Sequence, residues 1–268
     1  MHKYLYLDIE TIPAQRPDVM AEIRDSMKLT LESDIASIRP PGNYKKQETI
    51  DEWMANDAPK QAQALRDSCD SEIEAAYRKT GLDGAFGQIC VIGFALDNQE
   101  PQTYYEEQWG EGWAETDVLE CFYSHLTDLI PRSNENAICV VGHNVVGFDL
   151  RYMVQRSIVK NVQPHRVIRA AAQAKPWESD KVFDTMIQWG GAGARAGGSL
   201  DKLCRALSIP SPKSGITGAT VWDAVRDGRI TEVAKYCKAD VAATRAAHLR
   251  MTFQTAPQPA PEMEDVPA

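Results

Sequence analysis

The chain has 268 residues, 43% of them apolar and 25% charged, which is enough for one large domain or two small ones with a buried core. A net charge of −9 argues against nonspecific coating of nucleic acid, although a local basic surface can exist within an acidic chain. The longest apolar run, Ile89 to Leu96, is too short for a membrane span.

The amino terminus lacks a basic start followed by a long apolar segment and a cleavage site, so a cytoplasmic location is expected. Six cysteines occur without any C-x-x-C pair. Cys90 and Cys139 sit inside apolar runs, and reduced, buried thiols are the expectation.

Residues 3 to 12 alternate, placing Tyr4, Tyr6, Asp8 and Glu10 on one side of a first strand and Leu5, Leu7 and Ile9 on the other, with Pro13 ending it. From Ala14 to about Gly84 the pattern is helical and strongly charged, broken at Pro40-Pro41-Gly42. This stretch reads as a mainly helical insertion. A second strand is predicted at Gln88 to Leu96 and, after the Asp97-Asn98 turn, a third near Gln102 to Tyr105.

An acidic run from Glu106 to Glu120 precedes a helix over Cys121 to Ile130 and a short buried strand at Ala137 to Val141. Helix followed by strand indicates α/β layers. Further on, the spacing predicts a helix from about Phe148 to Val159, a strand at Lys181 to Phe183, and a helix from Ser199 to Leu207 capped by Ser199. A long last helix follows from about Thr231 to Thr252. Residues 1–252 then form one domain, with 14–84 as the insertion, and 253–268 read as a disordered, acidic and proline-rich tail.

Asp8 and Glu10 sit two apart on the first strand, and on acid frequency alone about five such pairs arise by chance. Two further acids change the weighting. Asp149 lies on an apolar helix face in GHNVVGFDLRYM, directly after a buried strand, and Asp240 lies in YCKADVAAT, four residues after Tyr236 on the last helix. Four carboxylates gathered near one point repel each other and lose hydration unless cations hold them ionised. All-oxygen ligation suits Mg²⁺ or Mn²⁺ rather than zinc, and two such ions can activate water on a phosphodiester.

DIET, HNVVGFD and YCKAD, in that order, resemble the three exonuclease motifs of the DEDD superfamily. The third is of the tyrosine subtype, because Tyr236 stands four before Asp240 while Lys235 fills the place where the histidine subtype has His. The YC-x-x-D form and the DIETIP start are most similar to predicted 3'-5' exonucleases related to the proofreading domain of family B DNA polymerases. A stretch similar to Ser199-Leu200-Asp201, Lys213, Gly218, Val221 and Gly228 precedes the tyrosine motif in that group. The resemblance covers residues 3 to 13 and about 86 to 252, and departs from the usual Tyr-Asn start of the second motif by having His143-Asn144.

The resemblance implies a ribonuclease H-like α/β fold, a mixed sheet flanked by helices, with the helical insertion after the first strand. It implies that Asp8, Glu10, Asp149 and Asp240 hold two divalent ions, Mg²⁺ or Mn²⁺, and that Tyr236 orients the attacking water. Thr11, His143, Asn144, Phe148 and Lys213 are the implied substrate contacts. A phenol titrating near pH 10 is a poor general base at neutral pH, so the metal supplies acidity and Tyr236 alignment.

The implied activity is 3'-5' exonuclease action on single-stranded DNA or frayed 3' ends. RNA as substrate and an inactive nucleic-acid-binding module are the alternatives. No polymerase domain fits this length, so any proofreading role requires a separate polymerase or repair partner.

Other features carry less. Asp184, in VFDT, either supports the site from a neighbouring strand or caps the helix that follows. The run Gly190 to Gly198 lacks the G-K-[ST] ending of a phosphate loop and reads as a surface loop. Arg151, Arg156, Lys160, Arg166, Arg169, Lys175 and Lys181 form a locally basic stretch that either tracks a phosphate backbone or is a solvated face. Arg39, Lys45 and Lys46, at the tip of the insertion, either clamp substrate or belong to an element that covers a sheet edge.

Overall fold

A computed structural model describes residues 3–107, 114–175, 178–191, 198–210 and 215–254. Five strands form one sheet in the order β3-β2-β1-β4-β5, comprising β1 (Lys3–Ile12), β2 (Gln88–Leu96), β3 (Gln102–Tyr104), β4 (Ile138–Gly142) and β5 (Val182–Asp184). β1 pairs antiparallel with β2 and parallel with β4. It is therefore the central strand, buried on both faces.

Alternation along β1 sets the two layers. Leu5, Leu7 and Ile9 join Phe94, Leu119, Phe122, Leu150, Met153 and Ile168 in the larger core cluster, under α3 (Ala114–Leu129), α4 (Asp149–Lys160) and α5 (Arg166–Gln173). On the other face Ile12 packs with Val91, Val221, Ala224, Val233 and Cys237, under α8 (Val221–Arg226) and α9 (Ile230–Met251). Gly93, opposite Asp8 on β2, lets α9 approach closely, since a Cβ there would meet Cys237 Sγ at 2.7 Å. Between them α6 (Thr185–Gly190) and α7 (Leu200–Ala206) complete the chain order. The whole is a ribonuclease H-like α/β arrangement, a mixed sheet flanked by helices.

The insertion is helical, as its pattern predicts. α1 (Pro17–Ser37) and α2 (Gln47–Lys79) pack on each other, and the break falls at the predicted Pro40-Pro41-Gly42. The end of α2 is tied to the sheet layer. Arg78 makes two hydrogen bonds to Asp223 at 2.7 and 3.0 Å, Thr80 Oγ1 accepts from Ala14 N, and Thr11 Oγ1 donates to the Gly81 carbonyl at 2.7 Å.

β2 has its predicted bounds, α9 is displaced by one residue at each end, and Ser199 caps α7 by accepting from Lys202 N. The acidic run behaves differently from its reading, because α3 starts at Ala114, seven residues before the predicted start. Glu115 is buried there against Arg156, with Nη2 to Oε2 at 2.7 Å and Nε to Oε1 at 2.8 Å, and it also accepts from Ile89 N. Among the described residues no helix is long and apolar enough to cross a membrane. Residues 192–197 of the glycine-rich run and 255–268 of the tail lie outside the described residues.

Candidate active site

Asp8 and Glu10 share the β1 face that looks toward α9. The β1–β2 register shifts between Glu10 and Thr11, a bulge of the kind that re-aims side chains beside active sites. The parallel pairing of β1 with β4 ends at Tyr6 and Val141. Past that point Asp149, the first residue of α4, satisfies β1 with its side chain: its Oδ1 accepts from Ile9 N at 3.0 Å.

Asp240 reaches the same place from α9, and the charges on Asp149 and Asp240 both act on Asp8 and Glu10. The structure thus gathers four acids from two strand positions and two helices. Glu10, Asp149 and Asp240 are buried, while Asp8 is half-buried.

The electrostatics follow from this crowding. Burial, then the charges of Glu10, Asp149 and Asp240, push the Asp8 carboxyl well above the usual range. Glu10 is likewise held high by burial and by Asp240 and Asp149. Burial raises Asp149 to about 7 against the lowering pull of hydrogen bonds from its own N–H and that of Ile9, and raises Asp240 to about 6 against that of Tyr236. Among the described residues none of the four forms a salt bridge. Such a set lacks compensating positive charge and suits a divalent cation.

Tyr236 stands one helical turn before Asp240, and burial followed by the Asp240 and Glu10 charges holds its hydroxyl protonated far above neutral pH. Cys237, the cysteine of the YC-x-x-D form, is given no role by the motif reading. Its Sγ donates to Asp8 Oδ2 at 3.2 Å, and one ligand atom each from Asp8, Glu10 and Cys237 lie within 4.8 Å of one another. The i, i+3 spacing from Cys237 to Asp240 on α9 is the signal that marks it, since both then face the sheet.

The predicted substrate contacts fare unevenly. Both ring nitrogens of His143 are engaged inside the fold, Nδ1 with Thr185 Oγ1 at 2.9 Å and Nε2 with the Gly198 carbonyl at 3.0 Å, and burial lowers its pKa. The Thr11 hydroxyl is spent on Gly81. Asn144 is half-buried in a left-handed conformation, φ 64°, and Phe148 is half-buried, its ring tilted against Tyr152. Lys213 lies outside the described residues.

Asp184 both caps and braces. It accepts from Met186 N and Ile187 N at the start of α6, and from Asn144 N and Val146 N, each at 3.0 Å, in the turn that leads to Asp149. The basic stretch is largely consumed within the fold. Arg156 and Lys160 face Glu115, Arg166 pairs with Glu135 and Lys181 with Glu178; Arg151 and Arg169 remain exposed.

The sheet and acid cluster define a ribonuclease H-like α/β protein with a candidate metal centre. Residues 82–259 match the family described as predicted 3'-5' exonuclease related to the exonuclease domain of PolB. That span is about two thirds of the chain, and the protein belongs to this family. It contains Asp149, Tyr236, Cys237 and Asp240 and begins after Asp8 and Glu10. A comparison with curated proteins found no match.

Proposed function

We propose that this protein is a divalent-metal-dependent 3'-5' exonuclease that removes nucleotides from single-stranded or frayed 3' ends of DNA. The observation that carries the reading is the convergence of Asp8 and Glu10, which precede the family-matched span, with Asp149 and Asp240 inside it. The family's relation to the exonuclease domain of a DNA polymerase favours DNA.

Asp8, Glu10, Asp149 and Asp240 would hold two ions, Mg²⁺ or Mn²⁺. When bound, such ions lower the pKa of water and offset charge on the leaving oxygen. The chain's own residues do the rest. Tyr236 stays protonated at neutral pH and donates to Asp240, so its hydroxyl oxygen is left to accept a hydrogen bond that would orient the attacking water, and it takes no proton from it. Asp149 commits Oδ1 to Ile9 N, which ties its carboxyl to β1. Asp184 holds the turn carrying Asn144, so Asn144 and Asp149 keep a fixed offset from β1.

Digestion of end-labelled DNA and RNA, with and without Mg²⁺ or Mn²⁺, tests the reading. Release should require the cation and favour DNA. A bulky block on the 3' hydroxyl should stop it, a 5' block should not, and circular single strands should resist. Nicking of circles, or release unaffected by EDTA, would refute it.

A further inference from the structure

Three of the four carboxylates are each held by a donor from this chain, and the donors differ in kind. The Ile9 N–H holds Asp149, and the Tyr236 hydroxyl holds Asp240. On Asp8 the donor is a thiol. Cys237 Sγ lies 3.2 Å from Asp8 Oδ2 and 3.6 Å from the Asp8 carbonyl oxygen, and among the described residues it is the one donor on that carboxylate.

The thiol reaches Asp8 because the fold clears a slot for it. Gly93 pairs with Asp8 across β1 and β2, and a Cβ at Gly93 would stand 2.7 Å from Cys237 Sγ and 3.0 Å from Val241 Cγ2. Any side chain there would push the thiol or α9 away from the sheet. Cys237 is fully buried and packs in the cluster of Ile12, Val91, Val221 and Val233. Cysteine suits a position that is apolar on one side and faces a carboxylate on the other, being a small hydrophobe with a weak S–H donor. Asp240 follows it by three residues, so both face the sheet from α9, and the thiol contact links the strand carrying Asp8 and Glu10 to the helix carrying Asp240.

The geometry points to Cys237 as a positioning residue of the metal centre: its thiol fixes the Asp8 carboxylate and the spacing of α9 from β1, so that Asp8 and Asp240 present oxygens to one centre. The inference rests on the metal-dependent exonuclease reading and adds a residue to which the motifs give no role. One ligand atom each from Asp8, Glu10 and Cys237 lie within 4.8 Å of one another, but Mg²⁺ and Mn²⁺ favour oxygen. The thiol's part is therefore to hold Asp8. Groups that orient a metal ligand tune the affinity of the site without binding the ion themselves.

The test measures metal binding separately from turnover. Mn²⁺ is titrated into the full chain without nucleic acid, and the free ion is followed by electron paramagnetic resonance, in wild type, Cys237→Ala and Cys237→Ser. Cys139→Ala is the control, a buried cysteine of β4 whose thiol faces the Val140 and Ser179 carbonyls. Cys237→Ala should raise the Kd for Mn²⁺ at least about tenfold, the low end for a group that orients a metal ligand. Cys237→Ser, which still donates, should restore most of that loss, and the control should leave Kd unchanged. The Mn²⁺ concentration giving half-maximal nucleotide release should shift by the same factor. Melts in EDTA show which variants are folded, and Cys237→Val, which fills the space without a donor, replaces the alanine variant if that fails to fold. Wild-type affinity in Cys237→Ala, or a serine variant no better than alanine, would overturn the inference and leave the exonuclease reading standing. No Mn²⁺ binding by the wild type would remove both, whereas weakened binding in Cys237→Ala by a chain that releases no nucleotide would keep the positioning role and reject the exonuclease.

Discussion

Replacing Asp240 by asparagine in the metal-free protein should stabilise it at neutral pH and above, and the size of the effect follows from where its carboxyl titrates. The folded value is about 6 against 3.8 when exposed. Below about pH 4 the group is protonated in both states. Between there and about pH 7 the unfolded chain releases its proton while the folded chain keeps it, so stability falls as pH rises through the folded pKa. At 1.36 kcal/mol per unit, about 3 kcal/mol is lost over that window.

Asparagine keeps the shape and does not ionise. It sacrifices the hydrogen bond with Tyr236, about 1 kcal/mol, which leaves a net gain of about 2 kcal/mol above pH 7. For a chain of this size that is roughly 4–8 °C in melting temperature. Thermal melts of both proteins at pH 4 and pH 8, in EDTA and in Mn²⁺, read the effect directly. At pH 4, where only the lost hydrogen bond remains, the advantage should give way to a deficit of about 1 kcal/mol, and the wild type should recover in Mn²⁺ by about 2.7 kcal/mol at a hundredfold excess over Kd. If the wild type melts no lower at pH 8 than at pH 4 without metal, or if the variant gains as much from Mn²⁺, the acids do not share one cation site.

Asp8→Ala, Asp149→Ala and Asp240→Ala should each abolish nucleotide release in an end-labelled digestion, whereas Tyr236→Phe should lower the rate by a smaller factor because it removes one orienting hydrogen bond; equal losses would contradict that division. Arg156→Ala should leave the buried Glu115 with only Lys160 at 3.5 Å and the Ile89 N–H as partners, lowering stability by up to about 3–5 kcal/mol in denaturant titration, and an unchanged midpoint would show the Arg156 contact to be dispensable. Asp184→Ala should weaken stability by at least about 1 kcal/mol through the lost helix cap. It should also depress kcat in protein shown to be folded, since the turn before Asp149 loses its brace; full kcat would leave Asp184 a cap only.

What the sequence reveals of the site divides along physical lines. Asp8, Glu10, Asp149, Tyr236 and Asp240 are legible because each lies at a fixed offset within a short motif, and acids on apolar faces stand out against the periodicity around them. Cys237 is not legible in that way, because its meaning comes from Asp8, 229 residues earlier in the chain. The start of α3 is misread for a similar reason. Glu115 counts as a solvated acid until Arg156, 41 residues later, is seen to neutralise it. The same contact removes Arg156 from the basic stretch. His143 reads as a substrate contact from its place in the second motif, and its partners Thr185 and Gly198 come from elements 42 and 55 residues away.

The insertion poses a different problem, since β1 and β2 are antiparallel neighbours that a short turn could join. A long excursion costs little when its ends are held together, because each doubling of a flexible loop adds only about 0.6 kcal/mol, and here Ala14 N meets Thr80 Oγ1 while Thr11 meets Gly81. Register between the strands is then fixed by alternation and by the shift at Glu10 and Thr11, without help from the connection. The helices spend most of their contacts on each other. The 33 residues of α2 rise about 50 Å from the Pro40-Pro41-Gly42 tip to the sheet, and Arg39 and Lys45 at that tip bond carbonyls of their own turn. At its base the insertion meets the sheet layer, where Arg78, Lys79 and Leu82 line one cavity with Thr11, Pro13 and Trp222.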